Sequence, residues 1–327
     1  MPIVSVLATG GTIASRAGAG GATAQDRGHD LVARLDLPPG LDVRVRDVVR
    51  VGGFRMTLDR VHEVARAVAA ELRDEAVAGV VITHGTDTIE ETAFFLDLFH
   101  DDPRPVVVTG AQRAADAPDT DGPRNLSDAV VAAAAPAARG LGVLIGFGGQ
   151  LFPARGTRKT HTIAADTFAN PAGGPLGWVH GGTVEIVTAP RRGAALPLDA
   201  FDPTGVRVDV VPCYPDADDT ALRACVEAGA RGIVLEATGA GNANPAICAA
   251  VAELSAAGVV VVTSTRVAAG PVVAIYGDGG GVDLARAGAV PSGLLRPSQA
   301  RILLAAVLGL HRDADVVRRA LLAHAYG

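Results

Sequence analysis

A chain of 327 residues, 49% hydrophobic and 20% charged, is long enough for a well-buried core and sits near the size at which one core divides into two. Its net charge of −6 is spread without a basic run, which argues against a nucleic-acid backbone as partner. Its apolar runs are too short to span a bilayer, so no membrane partner is expected.

The chain opens on Ile3-Val4-Ser5-Val6-Leu7-Ala8, which meets a glycine turn without the basic start and longer apolar stretch of a signal peptide. Behind that turn, Ser15 to Gln25 is rich in Gly and Ala, costs much entropy to order, and reads either as a mobile lid or as a plain surface loop. Residues 3–8, 79–83, 105–109 and 140–147 read as buried parallel strands. Across 57–75, Leu58, Val61, Val64, Val68 and Leu72 recur at helical spacing, which predicts a helix covering a sheet. A second α/β set follows, with strands near 206–211, 232–236 and 258–263 and helices near 218–229, 245–257, 297–309 and 313–325. The aperiodic stretch containing Pro190, Arg191 and Arg192 reads as a linker. The expected organisation is therefore a larger N-terminal domain at 1–190, with a mainly parallel sheet flanked by helices, a linker at 191–206, and a smaller C-terminal α/β domain at 207–327. Cys213, Cys225 and Cys248 are odd in number and lack CxxC spacing, so neither a disulfide framework nor a zinc site is implied, and the expected compartment is the cytoplasm.

In open parallel sheets, ligands sit beyond the carboxyl ends of the strands. Three turns there are unusually polar: Thr9-Gly10-Gly11-Thr12, Thr83-His84-Gly85-Thr86-Asp87-Thr88 and Thr109-Gly110-Ala111-Gln112-Arg113. Paired glycines let backbone amides approach a ligand, and the hydroxyls offer a nucleophile. Neither a GxGxxG string nor a Walker lysine is present, which disfavours nucleotide binding. A threonine hydroxyl needs a base within hydrogen-bond reach. Of 29 basic residues, 28 are arginine and one, Lys159, is lysine. Guanidinium stays charged, so a site needing an amine that loses its proton requires Lys159; compositional drift is the other explanation. Asp87 is suited to hold a substrate ammonium and to orient Lys159, while Asp87 or Thr88 also suits the N-cap of a helix beginning near Ile89. His84, alone beside a strand end, reads as a structural hydrogen-bonder.

These strings resemble a known family, the bacterial-type L-asparaginases and glutaminase-asparaginases. Ala8-Thr9-Gly10-Gly11-Thr12-Ile13-Ala14 is similar to its first signature, and Ile82-Thr83-His84-Gly85-Thr86-Asp87-Thr88-Ile89-Glu90-Glu91-Thr92 to its second. The likeness continues through Asp121-Gly122-Pro123-Arg124-Asn125-Leu126, Arg158-Lys159-Thr160, Gly239-Ala240-Gly241-Asn242-Ala243-Asn244 and Ala300-Arg301-Ile302-Leu303-Leu304, nearly the whole chain. The resemblance implies a small amino-acid amide as substrate, no metal or organic cofactor, and a homotetramer of two intimate dimers with active sites at the intimate interface. It implies Thr12 as the nucleophile that forms an acyl-enzyme. Thr86, Asp87 and Lys159 become the second catalytic group, with Lys159 the base for Thr86 or for water and Asp87 the binder of the α-amino group. Backbone amides near Thr12, Thr86 and Ala111 become the oxyanion hole. Asn244 and Thr265 match positions near the substrate, with Asn244 reaching in from a neighbouring subunit.

Three departures stand against this match. No tyrosine occurs within 13–40, where the family's lid carries one, leaving Thr23, a water or Tyr276 of the partner subunit to supply the hydroxyl. Gly53 stands where the family has a serine for the α-carboxylate, a loss of about 1.5 to 3 kcal/mol unless Arg55 or water compensates. An acidic residue near the substrate amine falls on a glycine of Gly279-Gly280-Gly281-Val282-Asp283, with Asp283 its candidate replacement. The expected activity is hydrolysis of L-asparagine to L-aspartate and ammonia through an acyl-threonine. Deamidation of another small amide (glutamine, a D-amino acid amide or a peptide amide) and non-catalytic amino-acid binding on the same scaffold remain the alternatives.

Overall fold

Strands covered on both faces must be largely apolar, and the runs beginning at Ile3, Val77, Val106 and Val143 meet that requirement, with the buried Ser5 hydroxyl satisfied by Glu71 Oε2 at 3.0 Å. The computed structural model describes residues 2–35, 37 and 40–325. It separates into two compact units, Met1–Leu198 and Asp199–Gly327. The first is built on β1 (Ile3–Gly10), β2 (Asp42–Val51), β3 (Val77–Thr83), β4 (Val106–Thr109), β5 (Val143–Phe147), β6 (Gln150–Pro153), β7 (Gly177–His180) and β8 (Thr183–Ile186). Their order across the sheet is β8, β7, β6, β5, β4, β3, β1, β2. Neighbours from β2 to β5 run parallel, and those from β5 to β8 antiparallel.

Helices α1 (Gly28–Val32), α2 (Leu58–Glu71), α3 (Ile89–Phe99) and α4 (Gly122–Ala134) accompany this sheet. The Thr57 hydroxyl caps α2 by accepting from the Arg60 N–H at 3.3 Å, and the helix buries Val61, Val64 and Val68. It ends at Glu71, short of the expected 75. The edge strand β2 escapes a search for apolar runs because it alternates charged and apolar residues, as an edge exposed to water does. Within the Gly/Ala-rich stretch, Ser15–Arg16 and Thr23–Ala24 pair as a short antiparallel ribbon.

The second unit carries β9 (Val208–Pro212), β10 (Gly232–Ala237), β11 (Val260–Thr265) and β12 (Val290–Pro291), parallel throughout. Its helices are α5 (Thr220–Glu227), α6 (Pro245–Ala256), α7 (Gly281–Arg286), α8 (Pro297–Leu310) and α9 (Ala314–Ala325). No helix among the described residues is long and apolar enough to cross a membrane.

Parallel pairing of β2, β1 and β3 delivers three chain segments to the same sheet edge, and there their backbones touch. A Cβ added at Gly11 would lie 2.3 Å from the Gly85 nitrogen, one at Gly85 2.4 Å from the Gly53 nitrogen, and one at Gly53 2.7 Å from the Gly85 oxygen. Gly11 also has φ +84, where a side chain is strained whatever the space. Gly11→Ala is expected to lower the unfolding free energy by about 2 to 4 kcal/mol. Gly20→Ala, at a position with nothing within 4 Å, is expected to stay within about 0.5 kcal/mol of the parent. Urea denaturation of both variants checks the contrast.

Candidate active site

Beyond the glycine contact, the turn after β3 folds into a 3-10 segment, Thr86–Thr88, that leads into α3. Lys159 comes from far along the chain, on a two-residue ribbon in which Arg158–Lys159 pairs with Phe168–Ala169. Its backbone N–H donates to Glu90 Oε2 at 2.7 Å, which fixes the ribbon against the first turn of α3. Its ammonium donates to Thr86 Oγ1 at 2.9 Å and to Asp87 Oδ1 at 2.8 Å. The lysine side chain is 17% exposed and the aspartate 55%. An ion pair this open to water adds little to stability, so what it contributes is the position of the amine.

Thr88 occupies the N-cap of α3, but its hydroxyl donates to Gly53 O at 2.8 Å instead of accepting from the helix. Neither Asp87 nor Thr88 therefore caps α3 through its side chain; one is held by Lys159 and the other ties the Gly53 turn to the Thr86 turn. His84 is fully buried. Its Nδ1 lies 2.8 Å from Gly85 O, which only accepts, so Nδ1 carries the hydrogen and Nε2 accepts from the Thr92 hydroxyl at 3.0 Å. Burial drives the imidazole pKa down to about 4, against a smaller upward pull from the Gly85 carbonyl. A neutral imidazole thus braces Gly85 from beneath.

Thr12 opens the 3-10 turn Thr12–Ala14, half-buried, directly after Gly11. The Ser15 hydroxyl donates to Gly11 O at 2.9 Å and Gly11 N–H to Val51 O at 2.9 Å, which pins the turn to β2. Thr12 itself lies outside the hydrogen-bond chain that joins Thr86, Asp87 and Lys159. Ala111 is fully buried, in a turn braced by Asp121, whose carboxylate accepts from the Gln112 and Arg113 N–H groups, and by Asn125, which donates to Gly110 O at 3.0 Å. Thr23 sits on the short ribbon and accepts from Gln25 Nε2 at 3.1 Å.

In the second unit the named residues have partners of their own. Asn244 caps α6, accepting from Ile247 N–H at 3.0 Å and donating to Ala217 O at 2.7 Å. Thr265 donates to Gly239 O at 2.6 Å. Asp283 accepts from Gly279 N–H and from Arg286, each at 2.8 Å. Gly279 and Gly280 lie against the backbones of Asn244–Pro245 and Tyr276, so an acidic side chain at either would collide with main chain. Tyr276 is 59% exposed.

Two groups escaped the sequence reading. Gln112 accepts from the Thr86 hydroxyl at 3.0 Å, and Glu90 holds the Lys159 backbone. Gln112 lies in a polar turn already singled out and Glu90 in the first turn of α3, yet their pairings span 26 and 69 residues, which composition and spacing do not reveal. Among the described residues, no group of three or more His, Cys, Asp or Glu side chains is placed to hold a metal ion.

Residues 3–192 match the family model described as asparaginase, N-terminal, and residues 207–321 match that of the glutaminase/asparaginase C-terminal domain. An L-asparaginase of Bacillus licheniformis is 34% identical over 313 residues, covering 95% of this chain and 96% of that protein. A probable periplasmic L-asparaginase of Haemophilus influenzae is 34% identical over 331 residues, covering 98% and 92%. Among solved structures, a probable cytoplasmic L-asparaginase from Campylobacter jejuni superposes with a TM-score of 0.85 at 31% identity, over 98% of this chain and 99% of that one.

The brace under Gly85 makes a pH-dependent contribution to stability. His84 is neutral in the folded chain down to about pH 4, whereas the unfolded chain protonates it near the ordinary 6.5. Unfolding therefore takes up a proton between those values. The contribution is full above about pH 6.5 and is lost as pH falls towards 4, a change on the order of 3 kcal/mol. Urea denaturation at pH 7 and pH 4.5 is expected to show a smaller loss of stability in His84→Gln than in the parent.

Proposed function

The chain belongs to the asparaginase family, and on that premise we propose that it hydrolyses L-asparagine to L-aspartate and ammonia through an acyl-threonine. The observation that carries the reading is the seat of the only lysine, held between Thr86 Oγ1 and Asp87 Oδ1 beside the contact of Gly11 with Gly85. Because Thr12 follows Gly11 and Thr86 follows Gly85, that contact keeps the two hydroxyls on adjoining turns.

In this reading Thr12 Oγ attacks the side-chain amide carbon. Negative charge gathers on the former carbonyl oxygen, and backbone N–H groups near Thr12, Thr86 and Ala111 stabilise it, the largest single contribution expected for such an intermediate. The carbon–nitrogen bond then breaks, and ammonia departs with the proton that Thr12 gave up. Water attacks the ester in the second half. Its proton passes to Lys159, directly or through Thr86, and aspartate leaves with the Thr12 hydroxyl restored. Asp87, open to solvent on one side, receives the substrate's α-ammonium.

Gly53 favours a second reading. A side chain there would press on Gly85 O, so the serine that holds an α-carboxylate elsewhere in the family has no room in this arrangement of the turns. Phe54 beside it is 78% exposed. A small amide other than asparagine, lacking the need for that hydroxyl, fits the same machinery.

The proposed assembly is a homotetramer of intimate dimers. Ile275 and Tyr276, 57% and 59% exposed on an irregular segment, support a contact surface there. Tyr276 of the partner subunit and Asn244 of the partner subunit are the groups proposed to complete the site. The proposed compartment is the cytoplasm, which suits three unpaired cysteines.

Ammonia release from a panel of L-asparagine, L-glutamine, D-asparagine and a peptide amide tests the reaction. The parent is expected to turn over L-asparagine, and Lys159→Arg, which keeps charge but removes the titratable amine, to lose at least about a hundredfold in kcat. Turnover of another amide with none of asparagine would replace the first reading by the second. Near-parental turnover by Lys159→Arg would remove Lys159 from the mechanism.

A further inference from the structure

Thr86 makes two hydrogen bonds, and only one of them involves Lys159. Its hydroxyl has a single proton. Gln112 Oε1 lies 3.0 Å from Thr86 Oγ1, while Gln112 Nε2 donates to Thr162 O at 3.2 Å and Ala164 O at 3.1 Å. Those two carbonyls only accept, so the amide cannot be flipped, and its oxygen must face Thr86. Thr86 therefore donates to Gln112, and a lone pair on Oγ1 turns towards Lys159 Nζ at 2.9 Å.

The other end of the amide reaches the loop that follows Lys159. Thr162 and Ala164 belong to the connection between the two ribbon strands Arg158–Lys159 and Phe168–Ala169. Gln112 is itself anchored, since its own N–H donates to both oxygens of Asp121, at 3.1 and 3.0 Å. One side chain thus links the turn after β4, the hydroxyl of the turn after β3 and the loop carrying the lysine.

We propose that Gln112 is a positioning residue for the Thr86–Lys159 pair: its amide oxygen seats the Thr86 hydroxyl hydrogen, and its amide nitrogen fixes the loop behind Lys159. While Lys159 is an ammonium, it donates to Thr86 and the hydroxyl hydrogen rests on Gln112. When Lys159 is the free amine, the hydrogen swings from Gln112 to Nζ by rotation of the hydroxyl, and the pair is ready to accept a proton from water. No bond is broken in that rotation. Gln112 supplies the second seat, and without it the hydroxyl samples orientations that serve neither state. This inference rests on the proposed roles of Thr86 and Lys159.

Gln112→Leu removes both ends of the link, and Gln112→Glu keeps an acceptor for Thr86 while setting a carboxylate against the two loop carbonyls. With the parent assayed alongside, kcat for the amide it turns over is expected to fall about tenfold in Gln112→Leu, with KM within about twofold, as for loss of one or two net hydrogen bonds at a reacting pair. Gln112→Glu is expected to lie between. Both variants keeping kcat within twofold of an active parent would overturn the inference and leave the reaction itself standing. A fall in kcat accompanied by an equal rise in KM and a lowered thermal midpoint would overturn it too, since that is what a purely structural residue does.

A second readout needs no turnover. Because Lys159 is the only lysine, biosynthetic labelling with 13C-lysine places one labelled side chain in the protein. Its Cε signal is expected to move in both variants relative to the parent. An unmoved signal would overturn the inference whether or not any amide is hydrolysed, whereas a parent that releases no ammonia from any amide, with a signal that does move, would count against the reaction alone.

Discussion

Backbone contact among Gly11, Gly53 and Gly85 is the constraint on which the site depends. Each glycine ends or follows a strand of the parallel part of the sheet, and each would collide with main chain if it carried a Cβ. Side chains normally keep neighbouring loops apart by several ångströms. Removing them lets three turns share one small space. In the proposed mechanism backbone N–H groups of these turns meet the developing oxyanion, and preorganised donors act strongly because they need not reorient as charge develops. The same contact sets Thr12 and Thr86 on adjoining turns, although α1, β2, α2 and β3 lie between them in sequence. His84 and Thr88 serve this arrangement, the first holding Gly85 O and the second Gly53 O.

Charge is distributed with equal economy. Arginine makes nearly all the ion pairs among the described residues, with Asp26 as one example: burial pushes its carboxyl up, but hydrogen bonds from Arg16 and Arg34 outweigh that and hold it below the usual range. Lysine occurs only where two turns and a ribbon meet, against a hydroxyl and a carboxylate. A guanidinium in that seat would present a planar fork that stays charged, and it would lack the single rotatable ammonium that Thr86 and Asp87 share. Lys159 is itself fixed from outside, by Glu90 through the lysine backbone, and the loop that follows it is held by Gln112. Position is enforced at both ends of the side chain.

Much of the fold was legible because a parallel sheet buried on both faces needs continuous apolar runs, and residues 79–83, 105–109 and 232–236 are such runs. The edge strand Asp42–Val51 was not, since charged residues interrupt its apolar positions and leave no continuous run. Strands Gln150–Pro153, Gly177–His180 and Thr183–Ile186 are four residues each, too short for periodicity to register. The polar turns that form the site stood out as strings, and Lys159 stood out by composition. Gln112 lay within a quoted string yet carried no sign of its contacts, because they reach two carbonyls at sequence separations of 50 and 52. Gly53 reads from sequence as a missing hydroxyl; in the folded chain it is also a position without room for one.

The central claim is that Thr12, carried on the turn that Gly11 allows, takes the acyl group. Rapid acid quenching of the enzyme during turnover of L-asparagine, followed by proteolysis and peptide mass spectrometry, tests it most directly. The account predicts an aspartyl ester on the peptide containing Thr12, absent from a Thr12→Ala variant. An aspartyl ester on the peptide containing Thr86, with the Thr12 peptide unmodified, would contradict it.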